Sequence, residues 1–265
     1  MKGILKMGLF NGYLKEGPGV REDEPKKKAL FAFLDIYIKR FWKLIQINLL
    51  YFICCIPIIT IGPATAGFTC VLRNYARDTH SFIYSDFFDG VKKNWKQGFV
   101  VSLIQAFMLS SFFFGISQYN QENIFSVIYF IVSMSVNIIF AIMMFYVYPM
   151  MVTFKLTIKQ LMKNALIFVR LGFKTNVITL ILSIIFICGP LALIVIFPNF
   201  FPMILIAFAL IILATLGLII NFNVYPYLKK YIIDPYYKDH PEELKKNEAE
   251  PIFSDGESGV DNGEI

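Results

Sequence analysis

The sequence predicts an all-α fold, a polytopic transmembrane helix bundle of about six membrane-embedded helices, the second of them short, with amphipathic helices at the interface. Three observations lead there. Hydrophobic residues make up 57% of the chain and charged residues 17%, whereas soluble domains run about 45–50% and about 25%. Residues 98–118, 124–148, 176–197 and 201–222 carry no Asp, Glu, Lys or Arg, and each is long enough to cross a hydrocarbon core of roughly 30 Å. The Lys and Arg residues gather in alternate connecting segments, the pattern that orients membrane proteins.

The first 40 residues form a basic segment, expected in the cytoplasm. They lack the continuous apolar core of a cleavable signal, so the first membrane helix is expected to act as its own uncleaved signal. That helix is placed at about 41–61, where Lys39, Arg40 and Lys43 can run their long stems to the interface. Pro57 and Gly62-Pro63 break it.

Lys and Arg number 10 in residues 1–43, 5 in 62–97, none in 119–123, 5 in 149–175, none in 198–200 and 5 after 222. Short basic loops stay inside the cell, so 62–97, 149–175 and the C-terminal region are predicted cytoplasmic. A single crossing at 41–61 would strand the most basic segment outside. A return passage or re-entrant hairpin between 57 and 78 restores parity, and TIGPATAGFTCVLRNYAR permits one. Ala64, Thr65, Ala66, Gly67 and Thr69 offer a small-residue face for close helix packing, and Arg73 and Arg77 mark the cytoplasmic exit. Both termini are then cytoplasmic in a multi-pass protein of the cell membrane. The alternative is five spans, an amphipathic helix at 63–78 and an external N-terminus.

Next comes YSDFFDGVKKNWKQG, where Ser85 or Asp86 can cap a helix with Phe87, Phe88, Val91 and Trp95 on one side and Lys92, Lys93 and Lys96 on the other. Residues 150–171 repeat the arrangement, with Phe154, Ile158, Leu161, Ala165 and Phe168 apolar and Lys155, Lys159 and Lys163 four apart on one stripe. Both read as helices in the interface plane, anchored to anionic lipid. Arg73, Arg77, Lys155, Lys159 and Lys163 are the candidates for docking an acidic partner or for lipid contact. No nucleic-acid partner is expected.

Residues 238–265 hold nine acidic residues against three basic ones, and residues 1–237 hold 22 basic against 10 acidic. With little apolar surface to offset ordering entropy, the tail is expected to be disordered. The organisation is therefore a basic segment at 1–40, a transmembrane domain at 41–235 and an acidic cytoplasmic tail at 236–265.

Catalytic chemistry is not indicated. No nucleotide loop, zinc spacing or hydrolase elbow occurs, and with only His80 and His240 a histidine-based metal site is not expected. Cys54, Cys55, Cys70 and Cys188 read as small buried thiols, and no cofactor is expected. Asp78, Asp86 and Asp89 read as solvated charge. Within the apolar segments the polar groups are Asn48, Gln105, Ser133, Asn137, Thr179 and Ser183. They read as interhelical hydrogen-bond glue, with Asn48, Gln105 and Asn137 the candidates to line a path for a neutral solute. The aromatic clusters Phe112-Phe113-Phe114, Tyr146 with Tyr148 and Tyr225 with Tyr227 fit interface belts.

The opening MGLFNGYLKEGPGV, RFWKLIQINLLYF, PIITIGPATAGFTCVLRNYARD and SDFFDGVKKNWKQ together resemble the YesL-like family of bacterial membrane proteins, characteristic of Gram-positive bacteria. The likeness is dense from residue 7 to about 105 and continues more loosely, through YPMMVTFKLTIKQLMKNAL, to about 235. It implies a small multi-helix protein of the cytoplasmic membrane, often encoded beside carbohydrate ABC transporters and two-component sensors, with no established activity and no established functional residue. The expected role is an accessory component of carbohydrate uptake or its regulation, contacting such a transporter or a sensor kinase. The alternative is a small uniporter or channel for a neutral solute.

Overall fold

The computed structural model describes residues 29–119 and 123–239. The predicted basic segment up to residue 28 and the tail from 240 onward lie outside the described residues. Helix α1 spans Ala29–Cys55 and stops just before Pro57, because a residue preceding proline is pushed out of helical geometry. A 3₁₀ turn at Ile58–Thr60 reverses the chain, with the Thr60 hydroxyl in reach of the Cys54 and Pro57 carbonyls left open at the helix end. Helix α2, Ile61–Ala76, starts with Gly62-Pro63 in its first turn, where proline's missing N–H costs nothing. Gly62-Pro63 thus begins the second helix, while Pro57 alone ends the first.

Two close approaches bind α2 to α3, which spans Ile83–Gln118. A Cβ on Gly62 would overlap the Gly98 carbonyl oxygen, and a Cβ on Gly90 would lie 2.9 Å from the Gly67 Cα. Backbones approach this closely only over small residues. The same glycines explain why the predicted interface helix at 85–96 is no separate element: Gly90 and Gly98 lie inside one continuous helix and serve packing. At 36 residues, α3 is about 54 Å long, far more than a membrane needs, so its charged first third stands beyond the apolar core.

Helix α4, Ile124–Thr153, contains Pro149 and still runs on for another turn; neighbouring helices make proline tolerable within membrane segments. The chain then leaves helical geometry until α5, Ile158–Leu171, whose start is fixed by a Thr157–Gln160 capping box. Lys155 therefore precedes the helix and does not share the face of Lys159 and Lys163, correcting the predicted helix at 150–171. Helix α6 spans Phe173–Ile196. After a 3₁₀ turn at Pro198–Phe200, α7 (Phe201–Ala207), a π-helical stretch (Phe208–Ile212), α8 (Leu213–Leu228), a second π stretch (Lys229–Ile233) and α9 (Asp234–Asp239) follow without interruption.

Among the described residues, four helical segments are long and apolar enough to cross a membrane: α3, α4, α6 and the run Pro198–Lys238. The expectation was about six membrane-embedded helices; the first two of these, α1 and α2, fall short of that measure. Helix α1 carries Asp35, Lys39, Arg40 and Lys43 through its middle, and α2, at 16 residues, is only about 24 Å long. These two form a hairpin whose α2 arm is buried in the bundle, while α1 keeps large apolar side chains such as Ile38, Trp42 and Ile53 exposed. Eleven of the 16 residues of α2 are buried, so it is a central element and the amphipathic surface helix of the five-span alternative is overturned.

In the most apolar windows of α3, α4 and α6 only 11% of residues are buried. Large side chains such as Phe107, Phe113, Ile184 and Val195 point outward, an apolar exterior that belongs in lipid. This is a membrane protein. Its interior holds two apolar clusters: Tyr146, Met150, Leu161 and Phe168 join α4 to α5, and Leu44, Ile47, Leu72 and Leu218 join α1, α2 and α8. Tyr146 and Phe168 stack with ring centroids 5.0 Å apart. Tyr146 and Tyr148 are both buried, so they form no interface belt.

Contacts between distant segments place the basic stretches on one face. Arg40 donates to the Asp78 carboxylate at 3.3 Å and to the Thr79 carbonyl at 3.1 Å. Arg73 donates to the Val152 carbonyl at 2.7 Å. Gln97 donates to the Leu156 carbonyl at 2.9 Å, and the Arg77 guanidinium lies 5.3 Å from the Tyr225 ring centre. The hairpin of α1 and α2 thus returns the chain to the face it left.

Candidate functional site

A cavity of about 250 Å³ lies among α1, α2, α3, α4 and α8. Its polar groups come one or two from each: Tyr51 from α1, Thr65 and Thr69 from α2, Gln105 from α3, Tyr148 from α4 and Asn221 from α8. No charged residue among the described ones lines it. Pockets for drug-sized ligands begin near 300 Å³, so this one suits a small, neutral solute.

The polar groups are held in place by specific bonds. The Thr65 hydroxyl donates to the Ile61 carbonyl at 2.7 Å, which leaves Tyr51 as the donor in the 3.0 Å bond between Tyr51 and Thr65. Tyr51 stacks on Phe68 with centroids 4.5 Å apart. Tyr148 donates to Gln105 Oε1 at 2.8 Å. Asn221 donates to the Gly217 carbonyl at 2.8 Å, while its buried Oδ1 has no partner among the described residues. An unpaired buried acceptor costs about 1–3 kcal/mol, and this one belongs to a residue of the cavity lining. The π stretch Phe208–Ile212 immediately precedes the lining residues Leu213 and Leu216; π stretches are rare and recur at functional sites.

Of the residues predicted from sequence to line a path, Gln105 lines this cavity. Asn48 is fully buried on α1 away from the lining. Asn137 donates to the Ser133 carbonyl of its own helix at 2.9 Å. Ser133 donates to the Ser111 carbonyl at 3.0 Å, joining α4 to α3, and Thr179 accepts from Asn223 at 2.9 Å, joining α6 to α8. Sequence reasoning missed Tyr51, Thr65, Tyr148 and Asn221. Their signal was a polar group inside an apolar stretch, which marks a residue without naming its partner.

The basic candidates divide. Arg73 is half-buried and turned inward, bonding Val152 and Thr153 at the end of α4, where a cation suits the helix dipole. It also donates to Asn74 Oδ1 at 2.9 Å, and Asn74 in turn donates to Asp86 at 3.4 Å. The Asp86 carboxylate accepts from the Ser81 hydroxyl and the Phe82 N–H. Helix α3 begins at Ile83 with Phe82 as its cap, which corrects the expected cap at Ser85 or Asp86; Asp86 lies within the first turn. Arg77, Lys155, Lys159 and Lys163 are exposed.

Residues 44–116 match the model of a family described as "Protein of unknown function, DUF624". The match covers the end of α1, all of α2 and nearly all of α3, and so Tyr51, Thr65, Gln105 and both glycine contacts. Neither the curated proteins nor the solved structures give a match.

Proposed function

We propose that this protein is a YesL-like component of the cell membrane, with both termini in the cytoplasm, that binds a small neutral solute within the bundle and serves carbohydrate uptake or its regulation as an accessory subunit. The observation that carries the reading is the charge-free cavity where Gln105, Tyr148, Tyr51, Thr65 and Asn221 converge. Sugars and other polyols are neutral and rich in hydroxyls, and a ring of amide and hydroxyl groups beside stacked aromatics is the chemistry that meets them. The reading is of a binding protein and not of an enzyme.

The orientation rests on charge. The basic segments share one face, and Lys and Arg favour the cytoplasmic side. On that face Lys159, Lys163 and Arg77 are open to a transporter or sensor kinase with an acidic surface. Affinity purification in mild detergent tests this directly: a carbohydrate ABC transporter or sensor kinase is expected to co-purify, and repeated recovery of the protein alone would count against the accessory role.

A second reading, a small uniporter or channel for a neutral solute, draws on the π stretch at Phe208–Ile212, an irregularity beside the cavity that a moving gate could use. Proteoliposomes distinguish the two. Downhill flux of neutral sugars by the protein alone supports the carrier, and binding without flux supports the accessory subunit.

A further inference from the structure

A second, larger recess of about 980 Å³ lies on the basic face, between the charged first third of α3 and the linker joining α4 to α5. Lys92, Lys93 and Lys96 line it from one side and Lys155 from the other, with Trp95 between them. None of these four lysines makes an ion pair among the described residues, and no acidic residue lines the recess. Four uncompensated ammonium groups facing one space repel one another, so the recess favours an anion.

The walls are held, which distinguishes the recess from a loose surface. Gln97 donates to the Leu156 carbonyl at 2.9 Å, and Arg73 holds the Val152 carbonyl and Thr153 hydroxyl at 2.7 and 3.2 Å. The Gln97 bond ties the linker to α3, and the two Arg73 bonds tie the end of α4 to α2. Met151, Val152, Phe154 and Leu156 give the recess an apolar lining beside the lysines.

We infer that this recess is a specific site for the phosphate headgroup of an anionic phospholipid. Lysines beside an apolar lining fit an amphiphile better than a free phosphate, which gains nothing from the apolar side chains. The depth is right as well: the lysines stand just before Gly98, where the charge-free stretch of α3 begins, so they sit at headgroup level. Trp95, half-exposed beside them, favours the same layer. Basic recesses of this kind between membrane helices hold anionic headgroups. The site differs from the lysine stripe expected on sequence grounds, because folding separates Lys155 from Lys159 and Lys163 and joins it to the lysines of α3.

Trp95 supplies the probe. The chain has two tryptophans, so Trp42→Phe leaves Trp95 as the sole reporter. Purified W42F protein in detergent is titrated with phosphatidylglycerol or phosphatidylcholine carrying brominated acyl chains, which quench indole fluorescence. Saturable quenching by phosphatidylglycerol at a lower concentration than phosphatidylcholine is expected. Replacing Lys92, Lys93, Lys96 and Lys155 by Gln should weaken it about fivefold per lysine, while replacing Lys159 and Lys163 should leave it unchanged. Equal quenching by the two lipids, or equal losses in the two sets of variants, would overturn the site. Full competition by inorganic phosphate would show that the recess takes a free anion and overturn the lipid assignment. All six lysines are exposed, and matching elution profiles and helical circular dichroism confirm that each variant is folded.

Discussion

Tyr148 donates a hydrogen bond of 2.8 Å to the side-chain carbonyl of Gln105, 43 residues away, and so links α4 to α3 across the neutral cavity. Removing the hydroxyl with Tyr148→Phe leaves Gln105 Oε1 without that donor. Such bonds within membrane bundles are worth about 0.6 kcal/mol, rarely above 1.7. The variant should fold, melt slightly earlier in detergent and bind solute more weakly than wild type. A thermal melt monitored by size-exclusion chromatography reads the first effect, and ligand-dependent shifts of that melt read the second.

Asn221 offers the opposite sign. Its Oδ1 is buried without a partner among the described residues, so Asn221→Leu removes an unsatisfied acceptor and should raise the melting temperature of the ligand-free protein. The same change removes a recognition group and should abolish the solute-dependent shift. Stability gained with binding lost is the pattern of a functional residue retained at a cost in folding energy.

Gly62 and Gly98 test the helix crossing. Gly62→Ala places a methyl group on the Gly98 carbonyl and must separate α2 from α3, which should destabilise the protein by roughly 1–3 kcal/mol. Gly189 is the control, with no atom of another described helix within 4 Å of a built Cβ. Gly189→Ala meets only the ring of the following Pro190, which disfavours a Cβ in helical geometry, and should cost less than Gly62→Ala. Equal effects at the two positions would remove the close approach as the explanation.

The spans were legible because composition alone signals them: a stretch without charge is visible in any reading of residues 176–197. Pro57 was legible as a stop for the same local reason. The packing role of Gly90 and Gly98 had no local signal, because a missing side chain matters only beside the partner helix that needs it. The start of α5 lay in the Thr157–Gln160 pair, a local signal that the regular spacing of Lys155, Lys159 and Lys163 obscured. The cavity was hidden for a stronger reason. Gln105 is meaningful only beside Tyr148, and Tyr51 only beside Thr65, 14 residues further on across a helix reversal. Periodicity assigns a residue to a face; it does not say which faces meet.

Arg73 and Arg77, four residues apart, should behave differently when changed. Arg73→Gln strips the end of α4 of charge-assisted bonds to Val152 and Thr153, each worth about 1.5–3 kcal/mol in favourable settings. Arg77→Gln removes only an exposed contact with the Tyr225 ring, worth about 0.5–1 kcal/mol. Detergent melts should show a large loss for the first and a small one for the second. If the second reduces recovery of a partner while leaving the melt intact, Arg77 belongs to the docking face.

The most direct test concerns the cavity's neutrality. Purified protein is titrated with radiolabelled neutral monosaccharides, glucose and rhamnose first, and with the charged relatives gluconate and glucosamine, at several pH values. A saturable signal is expected for at least one neutral sugar, absent in Asn221→Leu and constant between about pH 5 and 8, since no lining residue titrates in that range. Tighter binding of a charged relative, or a neutral-sugar signal that survives Asn221→Leu unchanged, would place recognition elsewhere and contradict the assignment.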